Sequence, residues 1–91
     1  MNIEIIVASA PWCTACAAYK PQVQKYVEKQ PANLKITYRE VDIEKDPAFA
    51  AKHGIQGLPT TLLMRQGQVV GRFSGAVSVG MLDTRVRTAG V

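Results

Sequence analysis

The chain has 91 residues, room for one compact domain and not for two. Apolar residues make up 47% and charged residues 20%, the balance of a folded globular protein rather than a disordered or fibrous one. The net charge is +4, but the 11 Lys and Arg are scattered with few aromatics between them, which argues against a nucleic-acid surface and leaves a basic surface that favours acidic protein partners.

The first element is "NIEIIVA", residues 2–8, short, β-branched and almost continuously apolar, as a buried strand requires. The apolar stretch "IIVASA" is too short to cross a membrane. No basic region precedes it and Glu4 interrupts its start, so it does not read as a signal peptide. The expected address is the cytoplasm, where thiols stay mostly reduced, and no membrane partner is expected. "SAPWC" breaks the strand. From Thr14 to Lys29, Cys16, Tyr19, Val23, Tyr26 and Val27 recur at helical spacing, which predicts an amphipathic helix kinked at Pro21.

"QPANLK" is a turn, and "KITYREVDI", residues 35–43, alternates like a second strand. In "DPAFAAKHG", Asp46 caps a short helix, Pro47 takes its first position and Gly54 stops it. "PTTLLMRQGQVVGRFSG" holds two strands with "RQGQ" as the turn of a hairpin. Ser78 caps a last helix through Met81, Leu82 and Val86. The order β-α-β-α-β-β-α predicts an α/β domain over residues 1–91. Its first two strands are parallel and its last two antiparallel, in a mixed four-stranded sheet flanked by helices. Tyr19, Tyr26, Phe49, Met64 and Met81 read as core, and Asp42, Glu44 and Asp46 as a strand end and a cap.

Both cysteines lie in "PWCTAC", residues 11–16. A tetrahedral zinc site wants four ligands, and the chain offers Cys13, Cys16 and the distant His53. A permanent staple across so short a loop would add little stability. A working dithiol fits better. Cys13 and Cys16 straddle the start of a helix that leaves a strand, and residues three apart on a helix are neighbours. The helix end favours thiolate at Cys13, which attacks a substrate disulfide; the more buried Cys16 then resolves the mixed disulfide.

These residues resemble the thioredoxin family over nearly the whole chain. The matches are "WCTAC", Pro21, "VDIEKDP", "HGIQGLPT", "RQGQVV" and "SGAVS". The chain is similar to a shortened member that starts directly at the central strand, without the family's N-terminal strand and helix. The resemblance implies a thioredoxin-like fold and reduction of protein disulfides by a Cys13–Cys16 redox centre. It implies no metal or organic cofactor, and recycling by an external reductase or small thiol. A monomer is expected. It also implies a cis bond before Pro59, pairing of the Leu58 backbone with an extended partner segment, a second lip at Gly75 and Ala76, and partner contact through Trp12.

Three positions depart from the family pattern. Thr14-Ala15 stands where thioredoxins proper have Gly-Pro, which points to a more oxidising potential. Val7 stands where a buried aspartate is usual, and Glu40 where its lysine partner is usual. The expectation is that Glu40 reaches beneath the sheet as a buried carboxylate without a cation, its pKa raised, and takes the Cys16 proton. Ser9 replaces a second tryptophan, leaving Trp12 alone to report the redox state. Two alternatives stand beside this reading: a glutaredoxin-like enzyme using glutathione, disfavoured because "SGAVSVGML" lacks the Gly-Gly…Asp pattern, and a thioredoxin-fold binding module that does not use its thiols.

Overall fold

The strand expected at the N-terminus forms as β1, Ile3–Ser9, and every residue of it except Glu4 is buried. The computed structural model describes residues 1–90. After β1 come α1 (Thr14–Glu28), a 3-10 turn (Ala32–Leu34), β2 (Ile36–Asp42), α2 (Pro47–His53), β3 (Thr60–Arg65), β4 (Gln68–Ser74) and α3 (Val79–Ala89). The sheet order is β2-β1-β3-β4. β1 pairs parallel with β2, and β3 runs antiparallel to both β1 and β4. β1 is therefore central, which accounts for its near-continuous apolar sequence: both of its faces are covered.

Alternation along the strands feeds two cores. Ile3, Ile5 and Val7 of β1 and Leu63 of β3 meet Tyr19, Val23 and Tyr26 of α1 and Leu82 and Val86 of α3. On the other face Ile6, Leu62 and Val41 pack with Phe49 of α2. Full burial of each such aliphatic side chain contributes about 1.5–3 kcal/mol. Two helices thus cover one face of the sheet and one covers the other.

The local signals act as their chemistry requires. The Asp46 side chain accepts the Phe49 N–H, Pro47 opens α2, and Gly54 closes it with φ +60°. The β3–β4 turn places Gln66 at φ 53° and Gly67 at φ 79°, both left-handed, as a two-residue hairpin matched to strand twist demands. The Ser78 side chain accepts the Met81 N–H at the start of α3. Helix α1 runs through Pro21 as one element, with Cys16, Tyr19, Val23 and Tyr26 buried. Met81 departs from the expectation: it is 50% exposed, not core. Leu82 and Val86 hold the inward stripe of α3, and Met81, one position earlier, is turned about 100° away from it.

Candidate functional site

The topology gathers the expected site residues at one end of the sheet. β1 and β2 both finish there, with Ser9 opposite Asp42. Because β3 is antiparallel to β1, it starts there, with Thr60 beside Ala8. β4 ends there, with Ser74 opposite Thr60. The segments carrying Trp12 to Cys16, Leu58 and Pro59, and Gly75 and Ala76 all leave or enter strands at this end. The Gly75 N–H donates to the Pro59 carbonyl at 2.8 Å and ties the last two segments together. The Leu58–Pro59 peptide is cis.

Cys13 is the N-cap of α1, in an extended conformation, and its sulfur accepts the Cys16 N–H at 3.1 Å. A helix N-terminus has amides without intrahelical partners and a positive dipole end, so this sulfur sits where negative charge is stabilised. Cys13 and Cys16 form a disulfide with their Cα atoms 5.2 Å apart. Cys16 is 1% exposed and Cys13 9%, so the first sulfur is the nearer to solvent. Thr14 and Ala15 between them are exposed.

Trp12 is 65% exposed, a large apolar face standing beside the dithiol. Its indole N–H donates to Glu44 Oε2 at 2.6 Å. From sequence, Glu44 reads only as part of a solvated strand end. That strand end is itself built by a side-chain turn, in which Asp42 Oδ1 accepts the Glu44 N–H at 2.8 Å. No local pattern links positions 12 and 44; the parallel β1–β2 pairing brings them together.

The structure corrects the placement of Glu40. Val7 and Glu40 are register partners, as the family resemblance implies. The carboxylate is not buried and not without a cation: its side chain is 50% exposed and its Oε2 lies 3.1 Å from Lys20 Nζ. β2 is an edge strand, and Glu40 lies near its end, so the side chain turns to the rim of α1 instead of beneath Cys16. It lines a cleft of about 510 Å³ together with Lys20, Arg39 and Lys45. The Tyr38 hydroxyl reaches the same carboxylate at 3.4 Å. Burial, then the charge and hydrogen bond of Glu40 and the neighbouring Tyr19, push the Tyr38 phenol up to about 12.

The polar groups that do lie under α1 are Tyr19 and Thr61, whose hydroxyls are 2.8 Å apart and buried. Burial raises the Tyr19 phenol, against an opposing effect of its bond with Thr61. Helical spacing marks Tyr19 as core; its hydroxyl partner, 42 residues away, has no local signal. His53 ends α2 and packs against Phe49 with ring centroids 4.5 Å apart and planes tilted by 50°, away from the dithiol's helix. Among the described residues no group of three or more His, Cys, Asp or Glu is arranged to hold a metal ion.

The comparisons with known proteins agree with this arrangement. The thioredoxin family model matches residues 2–88. A thioredoxin of Pyropia yezoensis is 31% identical over 77 residues, covering 84% of this chain and 70% of the relative. A thioredoxin of Porphyra purpurea is 29% identical over 75 residues, covering 82% of this chain and 68% of the relative. Among solved structures, a mutant thioredoxin from Halobacterium salinarum superposes with a TM-score of 0.87 at 21% identity. That match covers 99% of this chain and 76% of the other.

Proposed function

The chain belongs to the thioredoxin family and with its Cys13–Cys16 pair is a thiol–disulfide oxidoreductase; from that premise we propose that it works in the reducing direction on protein disulfides. Cys13 thiolate attacks one sulfur of a substrate disulfide, forming a Cys13–substrate disulfide and releasing one substrate thiolate. Cys16 then attacks Cys13 Sγ, and the second substrate sulfur departs with the electron pair. The substrate gains two electrons and the dithiol becomes a disulfide, which an external reductase or small thiol returns to the dithiol. One observation carries the assignment of roles: the Cys16 N–H donates to Cys13 Sγ at the helix N-cap. That bond favours charge on Cys13 and leaves Cys16, the more buried sulfur, to resolve.

In this reading the substrate binds as an extended segment along the Leu58 and Pro59 backbone, between Trp12 on one side and Gly75 and Ala76 on the other. The exposure of Trp12 and the convergence of these segments at one sheet end support it. A reducing compartment such as the cytoplasm is the proposed address, since a dithiol that donates electrons needs a thiol pool to restore it.

The test is reduction of insulin disulfides with dithiothreitol as the terminal reductant. Wild type accelerates the reaction, and Cys13→Ser abolishes the acceleration. Acceleration that survives in the Cys13→Ser, Cys16→Ser double variant refutes the dithiol mechanism. Turnover with glutathione as sole reductant, at a rate equal to that with dithiothreitol, would instead favour a glutaredoxin-like enzyme.

A further inference from the structure

Tyr19 is 2% exposed and Thr61 0%, and both belong to the face of the sheet that α1 covers. Tyr19 shares its core with Ile5, Val7, Val23 and Leu63. Phe and Val would fill the same space without two hydroxyls to satisfy, so the pair is not a requirement of packing.

Its position relative to the dithiol follows from the helix and the register. Tyr19 is three residues after Cys16 on α1, and both are buried on the same face. Long helical side chains point back toward the N-terminus, so the Tyr19 ring runs under the turn that holds Cys16. Thr61 is directly opposite Val7 in the β1–β3 ladder and two residues beyond Pro59. The pair therefore ties the buried, Cys16-bearing face of α1 to β3 at the position opposite Val7.

Hydrogen-bond accounting gives it a free donor. Two hydroxyls carry two O–H hydrogens, and their mutual bond at 2.8 Å uses one. Among the described residues neither oxygen has a second partner, and neither is hydrogen-bonded to Cys16 Sγ while that sulfur is held in the disulfide. We propose that the Tyr19–Thr61 hydroxyl pair stabilises the Cys16 thiolate, donating its uncommitted hydrogen to that sulfur as it attacks Cys13. The proposal rests on the dithiol reading above and specifies its second step. Cys16 loses its proton and its electron pair forms the bond to Cys13 as the Cys13–substrate bond breaks. The departing substrate sulfur keeps the pair of the broken Cys13–substrate bond and takes up a proton. Both hydroxyls keep their own hydrogens throughout, and the raised Tyr19 phenol is consistent with that.

The other titratable groups facing this site are Cys13 at the start of α1, Lys20 on its rim, and Tyr38 and Glu40 from β2. Lys20 and Glu40 are committed to each other, and Tyr38 to Glu40. From α3, Asp83 is committed to Tyr26 and Arg87.

The experiment uses the Cys13→Ser background, where Cys16 is the only thiol, and follows thiolate absorbance against pH. Tyr19→Phe and Thr61→Val each lower the Cys16 thiolate population at a fixed pH below its midpoint by about tenfold, the effect of one hydrogen bond to a charged group. Thr61→Ser, which keeps the hydroxyl, restores it. Unchanged Cys16 ionisation in folded Tyr19→Phe and Thr61→Val overturns the proposal, as does a Thr61→Ser value equal to that of Thr61→Val. A larger shift in Glu40→Gln than in Tyr19→Phe also overturns it. If Tyr19→Phe does not fold, the Thr61 series decides. Insulin reduction by the unmodified protein reports separately on the dithiol reading, so either can fail without the other.

Discussion

Reducing the protein and replacing Cys16 by Ser leaves Cys13 as the single thiol, still at the helix N-cap with the residue-16 N–H pointed at its sulfur. In the oxidised protein that N–H lies 3.1 Å from Cys13 Sγ. A hydrogen bond to a charged group contributes about 1.5–3 kcal/mol against about 0.5–1.5 for a neutral one, so ionising the sulfur gains about 1–1.5 kcal/mol. The end of the helix dipole adds about 0.3–1 kcal/mol. Cys13 is 9% exposed, and its desolvation opposes the charge and cancels part of that sum. A net of about 1–1.5 kcal/mol remains, close to a tenfold gain in thiolate at neutral pH over an ordinary cysteine. The assay is thiolate absorbance across pH for the folded variant and for the same variant in denaturant. A second readout follows by linkage. A depressed thiol pKa stabilises the fold fully above the unfolded value, about 8.5, and that contribution is lost as pH falls through the folded value. Urea stability of the reduced variant should therefore rise with pH over this window. Equal ionisation of Cys13 in folded and unfolded protein would refute the reasoning, and with it the role of the helix end.

Two further outcomes concern stability. The phenols of Tyr19, Tyr26 and Tyr38 are all raised above 10.0, chiefly by burial, and Tyr38 to about 12. Their folded values exceed their unfolded ones, so their contribution is complete below pH 10.0 and is lost as pH climbs, for Tyr38 between 10.0 and about 12. Urea melts should show stability falling above this threshold, less steeply in Tyr38→Phe; tyrosinates forming near their ordinary pH with no loss of stability would contradict it. Ser78→Ala removes the side-chain acceptor of the Met81 N–H at 3.2 Å and should cost about 1 kcal/mol in a urea melt. A loss below a few tenths of a kcal/mol would mean that the bond does not hold the start of α3.

The elements, their caps and the dithiol were legible in the chain because each is written within a few residues. Apolar spacing marks α1, Asp46-Pro47 opens α2, the left-handed Gln66-Gly67 turn makes the hairpin, and Cys13 falls at the strand-to-helix junction. Tertiary structure decided what depends on register and on the rotation of each element about its axis. It turned Met81 outward, since α3 presents only one stripe to the sheet. It sent Glu40 from the expected buried position to a rim pair with Lys20, because an edge strand leaves its end open to water. It joined Trp12 to Glu44 and Tyr19 to Thr61, contacts 32 and 42 residues apart in sequence. Hydrogen bonds of that reach are set by which strands lie side by side, and no local pattern of residue types encodes them.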